Sequence, residues 1–437
     1  LQPFLRPMSG SEKSIDVRTF GCRLNAFESE VVRGHAAAAG MTNTIVFNTC
    51  AVTTEAERQA RQAIRRARRE NPEAQIVVTG CAAQIDPDRF QAMAEVDRVV
   101  GNEEKMQADT WLPENATDPV AVADIMTVRE TAPHLIEGFD GRNRAFVQVQ
   151  QGCDHRCTFC IIPYGRGNNR SLPLGAIVNQ VRRLVAGGLR EVVLTGVDIT
   201  SYGDDLPGQP RLGNLARRLL HLVPELQRLR FSSLDPVGID DSLLTLIAHE
   251  PRVMPHIHLS LQAGQDMVLK RMKRRHLTAD VTALISRLRE ARPDLALGAD
   301  VIAGFPTESA DMHATTLANI AAWQIPFLHV FPYSPRPGTP AARMPQVAGQ
   351  TRRLRAAELR ALGDSLRDQY FSKQVDRELS VLVERAGFGH AENYAPVHLQ
   401  APDPALTAVP GTVVRARVTA LGEAALQAEI IPGQIAA

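Results

Sequence analysis

The chain has 437 residues but only six cysteines, no run of 18 apolar residues and no excess of charge of one sign. Six cysteines at this length are too few for a disulfide scaffold, which leads us to expect a cytoplasmic enzyme from a reducing compartment. The missing apolar run argues against a membrane-spanning helix. The opening Leu1-Gln2-Pro3-Phe4 lacks the charged-then-apolar order of a signal peptide, and with Leu rather than Met in first place the true terminus is left open. Lys+Arg number 49 against 48 Asp+Glu, a formal charge of +1, so any nucleic-acid contact must come from local patches. The hydrophobic share of 44% and charged share of 22% fit a folded globular chain. At roughly 150 residues per domain the length suggests about three domains.

The cysteines fall at 22, 50, 81, 153, 157 and 160. The last three are packed into Gly152-Cys153-Asp154-His155-Arg156-Cys157-Thr158-Phe159-Cys160. A structural zinc site wants four ligands, and this loop offers three thiols with His155 as an awkward fourth. Three thiolates on a [4Fe-4S] cluster instead leave one iron open to a cofactor. The C-x3-C-x2-C spacing with an aromatic before the last cysteine resembles the radical S-adenosylmethionine enzymes. That resemblance implies that S-adenosyl-L-methionine binds the open iron and is cleaved to a 5′-deoxyadenosyl radical. It also puts Phe159 near the adenine of the cofactor; as a side chain, Phe159 reads equally as core.

The first three cysteines are far apart in sequence. Ser14–Phe20, Thr44–Asn48 and Gln75–Thr79 read as short apolar strands, each followed by a helix-like stretch: Ala26–Ala39, Thr54–Glu70 and Asp86–Ala94. This βαβαβα order predicts a doubly wound parallel sheet, whose ligands bind beyond the carboxyl ends of the strands. Cys22, Cys50 and Cys81 each lie one or two residues past a strand, so all three are expected at one edge. There they form either a second three-thiolate cluster or three unrelated buried thiols.

A loop-like break at Asp140-Gly141-Arg142-Asn143-Arg144 opens a new series. Strands are expected at Ala145–Gln150, Glu191–Leu194, Arg228–Phe231, His256–Leu261, Leu297–Ile302 and Leu328–Phe331, with helices at 173–187, 212–223, 239–250, 265–291 (broken near His276), 309–324 and 351–370. Six βα units predict a central partial (β/α)6 barrel with its working face at the strand carboxyl ends. The cysteine loop follows the first strand, and small or polar residues follow the others. Gly196 and Asp198, Ser233, Gln262 and Ile302 are thereby candidates for cofactor binding. Glycine lets backbone approach a ligand, and Asp198 and Gln262 offer hydrogen-bonding groups.

Several blocks together resemble the methylthiotransferase family. These are Thr19-Phe20-Gly21-Cys22-Arg23-Leu24-Asn25, Asn48-Thr49-Cys50-Ala51-Val52 and Val78-Thr79-Gly80-Cys81-Ala82-Ala83-Gln84, then Leu194–Asp198, His258–Gln262 and Phe331–Arg336. The similarity runs from about residue 15 to about 398 and is strongest to the subgroup acting on N6-threonylcarbamoyladenosine in tRNA, the MtaB type. Arg23–Glu30, Asn48–Thr53, Thr195–Thr200 and Gly387–Tyr394 carry the subgroup likeness. The resemblance implies methylthiolation of adenine C2 next to the anticodon. It implies two [4Fe-4S] clusters and two S-adenosylmethionine molecules per turnover, with Cys22, Cys50 and Cys81 holding the sulfur-delivering cluster and Cys153, Cys157 and Cys160 the radical cluster. Replacing an unactivated aromatic C–H lies beyond acid–base chemistry, hence the radical cofactor. The domains are expected at 14–135 (methylthiotransferase), 142–371 (radical) and 372–437 (a TRAM-like β-barrel). The partners would be the tRNA anticodon stem-loop, an electron donor and a sulfur source, with no membrane and a monomeric enzyme.

For RNA contact, Arg58, Arg61, Arg65 and Arg68 share one helical face, either a phosphate-tracking stripe or a solvated face. Lys270, Arg271, Lys273, Arg274 and Arg275 form a second basic run near the substrate face. Arg166 and Arg170, just past the cysteine loop, are placed to meet phosphate or the threonyl carboxylate. From about Ser372 short β-like pieces follow: Leu379–Glu384, Ala395–Leu399, Thr412–Val418 and Ala425–Ile430. Between 373 and 437 five Lys/Arg face seven Asp/Glu, against the basic charge expected of an RNA-gripping barrel. The rival readings are methylthiolation of isopentenyladenosine in tRNA or of an aspartate in a ribosomal protein and, outside catalysis, a zinc-ribbon RNA-binding module.

Overall fold

The computed structural model describes residues 15–131, 143–401 and 408–436. Ser14, residues 140–142 of the expected break and residues 402–407 lie outside the described residues.

β1 (Asp16–Thr19), β2 (Thr44–Thr49) and β3 (Gln75–Gly80) form a parallel sheet that continues through β4 (Arg98–Val100) and β5 (Val120–Ala121) in sequence order. The last two strands, only three and two residues long, carry too short a pattern to be read from sequence. Between the strands lie α1 (Arg23–Ala38), α2 (Thr54–Glu70), α3 (Cys81–Ile85) and α4 (Pro87–Gln91). Thr53 caps α2, its hydroxyl accepting from Ala56 N at 3.1 Å. The expected helix 86–94 is the shorter α4, and it is preceded by α3, which the pattern did not reveal; Asp86 separates them, and its carboxylate caps α4 through Arg89 N. Both faces of the sheet are covered. Ile45, Phe47, Ile76 and Val78 pack against Ile64 and Ala67 of α2, while Val17, Val46 and Val77 pack against Val32 and Ala36 of α1 on the other side. This is the period-two alternation of strands buried on both faces.

The second unit begins with β6 (Arg144–Gln148), followed by the two-residue ribbon β7 (Gln150–Gln151) and β8 (Arg170–Ser171), with α5 (Ile162–Arg166) between them. Then alternate α6 (Leu174–Ala186), β9 (Glu191–Thr195), α7 (Leu212–Leu222), β10 (Arg228–Phe231), α8 (Asp241–His249), β11 (His256–Gln262), α9 (Asp266–Arg271), α10 (Thr278–Ala291), β12 (Ala296–Ala303), α11 (Ala310–Trp323), β13 (Phe327–Pro332) and α12 (Gly349–Ser372). The wall is two parallel three-stranded sheets, β6-β9-β10 and β11-β12-β13, joined by a bridge from Leu234 to Leu259. The helix broken near His276 is resolved into α9 and α10, with the buried His276 Nε2 3.2 Å from Leu261 O. Leu297, Ala299, Val301 and Ala303 face the helices, leaving Gly298, Asp300 and Ile302 to the lumen. At the amino-terminal end of the lumen Glu191 is wholly buried among Arg144, Arg228 and Arg230, at 3.1, 3.0 and 2.9 Å.

The carboxyl-terminal unit is a closed barrel of β14 (Glu378–Arg385), β15 (Phe388–Ala391), β16 (Pro396–Gln400), β17 (Val413–Leu421) and β18 (Leu426–Ala436). β15, four residues with a Gly and a polar His, is the strand the pattern did not reveal. The barrel seals the amino-terminal end of the lumen. Tyr394 stacks on His256 at 4.8 Å between centroids, with the Arg144 and Arg230 guanidinium groups 5.3 and 5.1 Å from its ring.

Candidate functional site

β1, β2 and β3 are adjacent and parallel, so the residues just past their carboxyl ends come together. Cys22 is the N-cap of α1 and Cys81 the first residue of α3. Two glycines make the approach possible. A Cβ on Gly21 (φ +95°) would lie 2.7 Å from Cys50 Sγ, and one on Gly80 (φ +96°) 2.3 Å from Thr49 O. Burial, then the neighbouring Cys22 and Cys81, push the Cys50 thiol up to about 12.

The second cysteine loop is pinned by backbone. Cys153 N donates to Gly167 O at 3.0 Å, and Thr158 N donates to Met272 O at 3.0 Å while its carbonyl accepts from Ala341 N at 2.9 Å. Gly152 (φ +71°) again allows the turn, because a Cβ there would sit 1.8 Å from Asn168 O. Burial lifts the Cys153 and Cys160 thiols to about 12. The two trios are neighbours: Cys81 is among the groups that raise Cys160. A Cβ on Gly165 of α5 would lie 3.2 Å from Cys81 Cβ, and Asn102 Nδ2 donates to Gly165 O. All six thiols are unpaired by disulfides.

The spacing discriminates between metals. A single zinc holds its thiolates about 3.8 Å apart, from bonds of ~2.3 Å. Among the described residues, the group of three His, Cys, Asp or Glu donors drawn within 4.8 Å of one another is His258, Asp300 and His329; neither cysteine trio closes that far. A cubane binds each thiolate at a different iron and spreads them wider, which is the direction in which both trios depart from a single-zinc site.

Between the trios runs a buried charge network. Arg166, 1% exposed, places Nη1 2.6 Å from Glu28 Oε1 and 2.9 Å from Gln151 Oε1, and donates through Nη2 to Asn25 Oδ1. Lys105 Nζ lies 2.7 Å from Glu28 Oε2 and 2.6 Å from Asn102 Oδ1. Asn102 Nδ2 in turn points at Cys81 Sγ, 3.7 Å away. Burial opposes the Glu28 carboxylate, but Arg166 and Lys105 outweigh it and hold the group down at about 2. Two cations to one carboxylate leave this wall positive, a match for an anionic thiolate-bound cluster.

Arg166 is therefore committed to Glu28 rather than free for a substrate. Arg170 is 2% exposed and donates to Thr131 Oγ1 and to the carbonyls of Arg166, Asn168 and Val128. Arg274 Nη1 is 3.6 Å from Cys157 Sγ while Nη2 binds Asp235 at 2.9 Å and Ser260 O at 2.7 Å. Lys273 is exposed, at φ +57°. On α2, three of the four stripe arginines, Arg58, Arg65 and Arg68, face the carboxylates of Glu55, Glu95 and Asp97, which favours the solvated-face reading for those three, whereas Arg61 forms no ion pair among the described residues.

The other expected residues sit at the strand carboxyl ends. Asp198 is 2.9 Å from His155 Nε2 in the cysteine loop; burial opposes its charge, but hydrogen bonds from His155, Thr200 and Ser201 bring it down to about 2. Gly196 is where Gln150 packs, a Cβ there meeting Gln150 O at 2.7 Å. Ser233 donates to Asp300 Oδ2 at 3.5 Å, and Gln262 ends β11 at φ +71°. Phe159 and Ile302 share one apolar cluster, with Phe159 edge-on to Phe305 at 6.4 Å. The reading from sequence missed Glu28, Lys105 and Asn102. Asn25 and Glu28 are spaced i, i+3 after Cys22, a face that could have been noticed, whereas Lys105 lies in a single 3₁₀ turn, Glu104–Met106, with no sequence signal. The Phe331–Arg336 block docks the two units: Arg336 pairs with Glu57, and Ser334 Oγ accepts from Thr54 N at 3.2 Å.

Comparison with known proteins gives two family matches: the Radical SAM superfamily over residues 147–319 and the uncharacterized protein family UPF0004 over residues 14–101. Threonylcarbamoyladenosine tRNA methylthiotransferase MtaB of Rickettsia prowazekii is 52% identical over 385 residues, 88% of this chain and 91% of that protein. The Bacillus subtilis MtaB is 33% identical over 433 residues, 94% of each. A tRNA-2-methylthio-N(6)-dimethylallyladenosine synthase of Paracoccus denitrificans is 34% identical over 430 residues, 93% of this chain and 94% of that one. Among solved structures, the radical S-adenosylmethionine methyltransferase TsrM of Kitasatospora setae superposes with a TM-score of 0.52 at 14% identity, over 76% of this chain and 75% of that one, a likeness of fold alone.

Proposed function

The chain belongs to the radical S-adenosylmethionine tRNA methylthiotransferases, and from that premise we propose that it methylthiolates C2 of N6-threonylcarbamoyladenosine beside the anticodon of tRNA. The higher identity to the MtaB relative, 52% against 34% for the dimethylallyladenosine synthase, supports the threonylcarbamoyl substrate. The observation that carries the reading is the meeting of the two cysteine trios across α5, with Gly165 against Cys81.

Cys153, Cys157 and Cys160 would hold the radical cluster, and Cys22, Cys50 and Cys81 the sulfur-delivering one. When bound, the two [4Fe-4S] clusters and S-adenosyl-L-methionine supply reductive sulfonium cleavage and the methylated sulfur, chemistry no side chain here provides. The residues do the rest. Asp198, fixed by Thr200 and Ser201 at 2.6 and 2.7 Å, orients His155 and so the cysteine loop. Gly196, Ser233, Gln262 and Ile302 would line the cofactor's side of the lumen, and the apolar cluster of Phe159 and Ile302 would shield the adenine from water. Arg274 stands against the Cys157 sulfur, and Lys273, exposed beside it, is the candidate for tRNA phosphate. Arg166 and Arg170, expected at the substrate, instead brace the wall between the trios. An electron donor and a sulfur source act from outside the chain, which we read as a monomer.

The test is anaerobic reconstitution followed by assay on anticodon stem-loops with and without the threonylcarbamoyl group. A methylthio mass increment on the modified stem-loop alone is expected. If deletion of the gene leaves the methylthio form of that nucleoside in cellular tRNA, the proposed substrate is wrong.

A further inference from the structure

The lumen wall carries a second constellation that none of the roles above uses. On β11, β12 and β13, His258 pairs in register with Gly298 and Asp300 with His329, so alternation brings His258, Asp300 and His329 to one face. Asp300 Oδ1 lies 3.0 Å from His258 Nε2 and 3.4 Å from His329 Nδ1, and the three donor atoms all fall within 4.8 Å of one another. A tetrahedral ion with bonds of about 2.0–2.2 Å keeps its ligands roughly 3.3–3.6 Å apart. The His329–Asp300 separation falls in that range, and the His258–Asp300 contact, a hydrogen bond at 3.0 Å, would open slightly to admit the ion.

The outer contacts suit a cation, although the nearby Arg23 guanidinium opposes positive charge at His258. Ser233 Oγ donates to Asp300 Oδ2 at 3.5 Å, leaving Oδ1 to face both imidazoles, the kind of outer contact that orients a ligating carboxylate. A Cβ on residue 298 would come 2.4 Å from His258 Nδ1, so the ring lies against bare glycine backbone. Side-chain exposure rises from 6% at His258 through 21% at Asp300 to 56% at His329. The three donors thus close one side of the site and leave the other open toward the edge of the partial barrel at β13.

We propose that His258, Asp300 and His329 form a mononuclear site for a borderline divalent cation of the zinc type, with an open position for an oxygen ligand, separate from both cysteine trios. Two imidazoles and one carboxylate are the donor set such ions take. The site stands independently of which nucleoside is modified.

Full-length protein loaded anaerobically, with its iron counted, is washed with a chelator that leaves the iron unchanged and then titrated calorimetrically with zinc chloride. One zinc per chain at constant iron is expected. His329→Ala, at an exposed position, and Asp300→Asn, which keeps the shape but removes the anion, should each weaken binding at least ~100-fold, the top of the range that outer-shell changes produce. Unchanged circular dichroism and iron content verify that both variants are folded. No saturable binding, zinc taken up only as iron is lost, or an affinity in both variants unchanged from that of the native protein overturns the site.

Discussion

Glu28→Gln removes one negative charge from the centre of the buried network and hardly alters the shape of the side chain. In the native protein both Glu28 oxygens are taken, by Arg166 at 2.6 and 3.0 Å and by Lys105 at 2.7 Å, with Glu28 and Lys105 side chains 0% exposed. Neutralising it strands two buried cations. Removing one partner of a buried pair costs about 3–5 kcal/mol. Linkage gives a similar figure. The Glu28 carboxyl falls from 4.5 to about 2 on folding, because Arg166 and Lys105 overcome its burial. That depression, at ~1.4 kcal/mol for each tenfold change in acidity, amounts to about 3–4 kcal/mol. Since the folded value is the lower one, this stability is present in full above the unfolded pKa near 4.5 and is lost as pH falls through about 2.

Trp111 offers a local reporter, for it is fully buried and its Nε1 donates to Lys105 O at 2.9 Å. The other of the two tryptophans, Trp323, can be removed as Trp323→Phe. Urea unfolding of the reduced, metal-free chain, followed by Trp111 fluorescence at pH 7, should show Glu28→Gln destabilised by about 3–5 kcal/mol at unchanged slope. Between pH 5 and 3 the gap should narrow as the native protein loses the same contribution. A difference below about 1 kcal/mol, or one that does not shrink in acid, would refute the reasoning.

Replacing Cys22, Cys50 and Cys81 together by Ala should lower iron from about eight to about four per chain and keep reductive cleavage of S-adenosylmethionine while abolishing the methylthio product. The same change at Cys153, Cys157 and Cys160 should abolish both, as followed by iron analysis and chromatography of 5′-deoxyadenosine. Gly152→Ala, at φ +71° with a Cβ 1.8 Å from Asn168 O, should destabilise by about 3 kcal/mol or more and strip iron from the second trio. Gly175→Ala in α6, where a Cβ meets nothing within 4 Å, should stabilise by about 0.4–1 kcal/mol; thermal melts compare the two. Because burial lifts the Cys50, Cys153 and Cys160 thiols to about 12, they are protonated at neutral pH. Cluster loading should then release protons and strengthen as pH rises, measured by pH-stat titration during reconstitution.

The cysteine spacing and the apolar periodicity, read as plain sequence, sufficed for the first three strands of the parallel sheet, the six βα units and the gathering of Cys22, Cys50 and Cys81 at one edge, but not for the short β4 and β5. These are local properties: a strand ends where its alternation ends, and in a parallel sheet all ends point one way. Which charges meet is not local. Arg166 and Glu28 are 138 residues apart, and nothing in either segment says that one buries against the other. The same basic side chain serves substrate or scaffold depending on what packs over it, so Arg166 and Arg170 read as surface groups until α1 and α5 are brought together. His258, Asp300 and His329 belong to three strands whose pairing register alone makes them neighbours. Tertiary packing decided those contacts because burial and pairing are properties of the assembled chain, and no single segment carries them.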